Sequence, residues 1–235
     1  MPNSYFQFKH FKIDQGSCAM KVTTEGCLFG ALIDPDRSPK HVLDIGTGTG
    51  LLALMLAQKY PQTLFDAVEI DAAAFLQARD NFKNSSWDAN LNVFHSAIQD
   101  HNTAEQYDMI VSNPPFFRGS MTSKSTSGNL ARHEEELNQL DLIKSIDRLL
   151  TEDGSFWVLY PEREAQTFCQ LAIQYSFHLT NQITIFDRVG SKVFRVVQSF
   201  SRIEKPKSES NLIIKAEVGY THDFIELLKD YYLHL

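Results

Sequence analysis

At 235 residues, 43% hydrophobic and 22% charged, the chain is excluded from the low-complexity and disordered classes and can form one large domain or a domain with a short extension. A formal net charge of −7 excludes a protein that coats nucleic acid nonspecifically, though not one with a local basic face. No apolar run approaches bilayer length, and the start of the chain lacks the basic and apolar regions of a signal peptide. Cys18, Cys27 and Cys169 have no CxxC spacing, so reduced thiols in a cytoplasmic protein are expected.

The first forty residues mix aromatic and polar side chains and end in the turn-like run Asp34-Pro35-Asp36-Arg37-Ser38-Pro39. Residues 41–45 then predict a short strand, and 50–60 carry the helical spacing of Leu51, Leu54, Met55 and Ala57. Strands are expected over 63–70, 91–95 and 107–112, with a helix over 71–84. Residues 117–129, rich in Ser, Thr and Gly, read as a mobile loop. A helix over 137–150 leads through Gly154 to a strand over 155–160, and another helix follows Pro161. Residues 177–186 and 192–202 are β-rich and suit a closing antiparallel hairpin; 204–211 read as a polar loop and 222–232 as a final helix. Strands alternating with helices imply an α/β protein, a mostly parallel sheet with helices on both faces. One domain, 1–235, accounts for the chain, with a core over 41–202, a leading segment over 1–40 and an extension over 203–235.

The stretch Asn113-Pro114-Pro115-Phe116 follows the apolar run ending at Ser112, at the end of a buried parallel strand. Two prolines remove two N–H donors and leave the carbonyls of Asn113 and Pro114 free to accept. With the Asn side-chain oxygen and the flat ring of Phe116, this suits a planar group bearing an NH2, such as an adenine. A second signal is Asp44-Ile45-Gly46-Thr47-Gly48-Thr49-Gly50, between the first predicted strand and helix of the core, where glycines let a ligand lie against backbone near a helix N-terminus. Gly48 to Ala53 also satisfies G-x-G-x-x-A, and Glu69 and Asp71 follow the next strand, so a nicotinamide or flavin enzyme has to be weighed. Asp44 directly before the glycines would oppose a pyrophosphate. It is compatible with an adenosyl sulfonium cofactor, which has no phosphate and carries an ammonium. Both signals fall at carboxyl ends of strands in one sheet and so face one cleft.

With those motifs joined, the chain resembles the class I S-adenosylmethionine-dependent methyltransferases that modify exocyclic or amide nitrogens. Phe8-Lys9-His10-Phe11, the run from Cys18 to Ala31, and Ala131-Arg132-His133 are similar to segments of the bacterial tRNA1(Val) (adenine(37)-N6)-methyltransferase family. The resemblance implies a Rossmann-like fold with a seven-stranded sheet, one strand antiparallel, and S-adenosyl-L-methionine as methyl donor. It implies that Asp44, Gly46, Gly48 and Gly50 border the cofactor's methionine part and that Glu69, with Ile70 beside it, binds the ribose. Lys21, Val22 and Thr24 would close over the cofactor, and Ala97 and Ile98 would border its adenine, with Asn113 at the transferred methyl. Family members often carry an acid where this chain has Ser96-Ala97-Ile98, and the Ala97 side chain cannot accept that hydrogen bond.

The expected reaction is methyl transfer to N6 of adenine 37 in the anticodon loop of a tRNA. Asn113 and Pro114 would accept the amine hydrogens, Phe116 would stack on the base, and Pro115 would border it. Arg132 and His133 either contact RNA phosphate or form surface pairs. The run Arg188, Lys192, Arg195, Arg202, Lys205, Lys207 and Lys215 is either a phosphate-contacting face or a solvated surface. The histidines have no ligand spacing, so no metal site is expected. Competing readings are the same chemistry on a release-factor glutamine, an rRNA guanine or a DNA adenine, and a noncatalytic cofactor- or RNA-binding module. The oligomeric state is not readable from these residues.

Overall fold

The computed structural model describes residues 3–16, 21–115 and 138–235. The leading segment holds a two-stranded antiparallel ribbon, β1 (Tyr5–Gln7) and β2 (Lys12–Asp14), then helix α1 (Thr24–Leu32), capped by Thr23, whose side chain accepts from the Gly26 amide. Neither ribbon nor helix is predicted above. The alternating part runs β3 (His41–Ile45), α2 (Leu51–Lys59), β4 (Leu64–Glu69), α3 (Ala72–Lys83), β5 (Leu91–His95), β6 (Tyr107–Ser112), α4 (Gln139–Leu149), β7 (Leu150–Tyr160) and α5 (Glu162–Gln174). Strands β8 (His178–Arg188), β9 (Val193–Ser201) and β10 (Ser208–Lys215) and helix α6 (His222–Leu228) complete it. The expected loop 117–129 lies outside the described residues.

Strands β3 to β10 form one eight-stranded sheet, ordered β10-β8-β9-β7-β6-β3-β4-β5. Only β9 runs antiparallel to its neighbours β7 and β8; every other pair is parallel. The expectation of one antiparallel strand therefore holds, with one strand more than seven. The addition is β10, in the stretch expected to be loop: Ser208 to Asn211 are exposed, polar edge-strand residues paired in parallel with Asn181 to Thr184.

Each sheet face carries its own core. Leu142, Ile143 and Ile146 of α4 and Phe168 of α5 pack on Leu43, Ile110, Phe156 and Phe200. On the other face α1, α2, α6 and the ribbon cover Val42, Val111, Trp157, Val197 and Leu212. Helix α2 is buried from Leu52 to Ala57 because α1 and α6 enclose it, so it shows little amphipathic contrast. Strands β3 and β6, buried on both faces, read as largely apolar runs, and their fully buried polar residues are Asp44 and Ser112.

Candidate active site

The carboxyl edge of the parallel strands carries the glycine loop. The amides of Gly46 and Thr47 both donate to the Val68 carbonyl, 2.9 and 3.2 Å, fastening the start of the loop to the end of β4. Gly46, Gly48 and Gly50 all have positive φ, at 70°, 59° and 85°. A Cβ at Gly48 would meet nothing within 4 Å, whereas at Gly50 it would lie 2.5 Å from Phe82 Cε1. Gly48 therefore keeps the cleft open and Gly50 lets α3 pack against the loop. Helix α2 starts after Gly50 with no side-chain cap on its N-terminus, and the Ala53 amide of its first turn faces the Asp44 carboxylate.

Two acids underlie the loop. Asp44 is fully buried; its Oδ2 accepts from Thr47 Oγ1 at 2.6 Å, and Oδ1 has no hydrogen-bond partner among the described residues. Burial pushes its carboxyl up to about 7, with the Thr47 hydroxyl and the Ala53 amide working against the rise and the Glu69 charge adding to it. Glu69, 8% exposed, accepts from the Gly48 amide at 2.8 Å and the Asp71 amide at 2.9 Å. Its carboxylate is thus held in place by backbone and keeps lone pairs for a ligand.

Ser112 Oγ donates to the Ile45 carbonyl at 2.9 Å, which ties the end of β6 to the end of β3 and sets Asn113 beside the glycine loop. One cleft is lined by Lys21, Val22, Thr23, Gly26, Gly46, Thr47, Gly48, Thr49, Leu51, Leu52 and Asn113. Asn113 Oδ1 is buried and has no hydrogen-bond partner among the described residues. Pro114 is buried and Pro115 exposed.

Of the residues picked from sequence, the cleft brings together Lys21, Val22, Gly46, Gly48 and Asn113, with Glu69 bonded to its wall and Asp44 beneath it. Thr24 opens α1, and its neighbour Thr23 is the one lining the cleft. Ile70 is half exposed at the end of β4, Ala97 sits past the end of β5, and the Ile98 side chain packs in the core below. Phe116, Arg132 and His133 lie outside the described residues. Among the described residues, no group of three His, Cys, Asp or Glu side chains could hold a metal ion.

Three further residues support the site. Thr47 holds Asp44, and its signal, a hydroxyl three residues after an acid in a glycine turn, is local and readable. Gln15 Oε1 accepts from the Val22 amide at 2.8 Å, fixing the strip that borders the cleft. Asn81 donates to the carbonyls of Thr49 and Asp14 and accepts from the Asp14 amide, clamping loop to ribbon. Those bonds span up to 67 residues, and no local pattern announces them.

An ammonium and a sulfonium fit these groups: an unpaired buried carboxylate oxygen, a wall of glycine backbone and an unpaired amide oxygen lie around one opening, with a fixed acid for a diol. Such a cleft at the carboxyl edge of this sheet defines the chain as a methyltransferase of the class I fold. A family profile described as the methyltransferase small domain matches residues 8–184. A tRNA1(Val) (adenine(37)-N6)-methyltransferase of Dyadobacter fermentans is 41% identical over 236 residues, covering 98% of each chain. One from Pedobacter heparinus is 38% identical, covering 97% of each. The chain belongs to this tRNA1(Val) (adenine(37)-N6)-methyltransferase family. The solved structure of a predicted O-methyltransferase from Agrobacterium tumefaciens shares the fold, with a TM-score of 0.68 and 15% identity over 87% of this chain and 95% of that one.

Proposed function

We propose that the protein methylates N6 of adenine 37 in tRNA1(Val), using S-adenosyl-L-methionine. The observation that carries the chemistry is the buried, unpartnered Asn113 Oδ1 in the wall of the glycine cleft; the names of the relatives supply the acceptor. The donor provides an electrophilic methyl on a cationic sulfur. Asp44 and the glycine-loop backbone hold its amino-acid end, Glu69 takes its ribose hydroxyls, and Lys21, Val22 and Thr23 border it from above. Ala97 and the Ser96 hydroxyl, which is buried and without a hydrogen-bond partner among the described residues, border its adenine.

On the acceptor side, Asn113 Oδ1 and the Pro114 carbonyl take the two N6 hydrogens. Those contacts favour a pyramidal nitrogen and localise its lone pair, which in free adenine is spread into the ring. The same oxygens stabilise the positive charge that grows on nitrogen as the N–C bond forms and the S–C bond breaks. Alignment of nitrogen and methyl carbon supplies a further part of the acceleration. The proton leaves N6 after transfer, so no base has to act first. We assign Phe116 to stacking on the flipped base, Pro115 to its edge, and Arg132 and His133 to the RNA backbone. The whole chain, 1–235, acts as one domain on this reading, in the cytoplasm.

Asn113→Ala tests it. The variant is expected to bind S-adenosyl-L-methionine within a few-fold of wild type while transfer to unmodified tRNA falls by roughly 10²–10³, as for loss of one preorganised polar group. Labelled-methyl transfer near the wild-type rate would overturn the role given to Asn113.

A further inference from the structure

The catalytic cleft lies at the carboxyl edge of the sheet, but a roomier cavity, about 570 Å³, opens at the amino edge. That volume is in the range of small-molecule sites. Its floor is the start of β6, β8 and β10, the middle of β7 from Asp153 to Trp157 and the end of the antiparallel β9; its walls are the turn 34–39 and the segment 203–208. We propose that this cavity is a second binding site, for an uncharged, flat heterocycle of nucleoside size. The proposal is independent of the methyl-transfer reading.

Two polar atoms in the floor point to a ligand. Trp157, 3% exposed, has its indole Nε1 buried with no hydrogen-bond partner among the described residues, and Asn181 has Oδ1 in the same condition. Both residues line the cavity. They stand in one register row, Trp157 opposite Ser199 and Ser199 opposite Asn181. Two strand spacings put their Cα atoms about 10 Å apart, so one small molecule can reach both. The row thus offers one N–H donor and one C=O acceptor, each costly to leave unmade. Ser199 Oγ is engaged with Thr180 Oγ1 at 2.8 Å, so it does not answer either atom. A ring carrying an acceptor and an N–H, as a nucleobase does, satisfies both.

The rim sets the charge. Arg37 pairs with Asp153, Lys205 with Asp36 and Lys59 with Asp34, while Asp108 accepts from the Lys40 and His41 amides, so every charge pair at the rim is closed and none of these cations is left for an anion. A phosphate finds no unpaired cation among these residues. Pro35, Pro39 and Pro206 give the walls flat apolar surface, which suits a ring more than a polyol.

The chain has two tryptophans, Trp87 and Trp157, so the indole region of a ¹H–¹⁵N spectrum of the full-length protein carries two peaks, and Trp87→Phe identifies that of Trp157. Cytidine and uridine, titrated to millimolar concentration, should shift the Trp157 peak saturably with either or both nucleosides. The matching 5′-monophosphates should bind at least about tenfold more weakly, and Asn181→Ala should weaken the nucleoside by roughly tenfold, the share of one hydrogen bond. An unmoved Trp157 peak would mean a cavity holding water alone and would overturn the proposal. So would equal binding of the monophosphates, or glucose shifting the peak as well as the nucleosides do. None of these outcomes reads methyl transfer, so failure here leaves that function untouched.

Discussion

A buried carboxylate beside a glycine loop has to be neutral or answered by a cation, and Asp44 is poised between those states. Burial lifts its native pKa from 3.8 to about 7, so the folded protein holds this proton more tightly than the unfolded chain. Its contribution to stability is full below about pH 4 and is lost as pH rises through about 7. Asp44→Asn carries no such term. The melting temperature of the variant should therefore gain on that of wild type as pH is raised from about 4 to about 8, measured without ligand by calorimetry. A difference that stays flat with pH would place the charge of Asp44 elsewhere. Asp44 and Asn113 were legible in the sequence because each sits at a strand end beside a glycine or proline signal, and Glu69 because it is an acid closing the strand that follows the glycine loop. Gln15 and Asn81 were not: each is an ordinary polar residue, Gln15 bonding an amide seven residues on with no motif to mark it, and Asn81 bonding backbone up to 67 residues away.

The junction of the glycine loop with α2 and α3 separates backbone strain from packing. Gly50→Ala puts a Cβ into a left-handed residue, about 1–2 kcal/mol, and against the Phe82 ring, about 1–3 kcal/mol more. The expected fall in melting temperature is roughly 5–15 °C. Gly48→Ala carries the strain without the clash, so it should cost about 2–8 °C, less than Gly50→Ala, while weakening cofactor binding, since its Cβ enters the cleft. Equal melting temperatures for the two would contradict the packing role of Gly50. The parallel strands and their helices were readable from alternation alone. Helix α1 was not: Gly26 and Gly30 lower its propensity, and its middle is apolar on every side because it lies under the ribbon and against α2 and α6. The half-buried pair of Glu25 and Arg195, 2.7 Å apart, fastens that helix to β9, again across a long separation. Strand β10 was hidden for the opposite reason, since an exposed edge strand needs no apolar alternation over its first half.

For the molecule as a whole, the basic run from Arg188 to Lys215 does not make one face. Arg188, Lys192, Arg195 and Lys215 lie toward the carboxyl edge with the catalytic cleft, while Arg202, Lys205 and Lys207 lie at the opposite edge. Most are paired: Arg188 and Lys215 with Asp187, Arg202 with Asp147, Lys205 with Asp36 and Lys207 with Glu209. Among the described residues Lys192, in the β8–β9 turn, makes no ion pair, so RNA attraction on this side of the cleft is local in a chain of net charge −7. Such cancellation is invisible when charges are counted along the sequence. The central claim concerns one atom of one nucleotide. Purified protein should be incubated with S-adenosyl-L-methionine and unmodified tRNA1(Val), and the digested RNA mapped by mass spectrometry. The account predicts N6-methyladenosine at position 37 and nowhere else; methyl groups on another nucleotide, or none on the RNA, would contradict it.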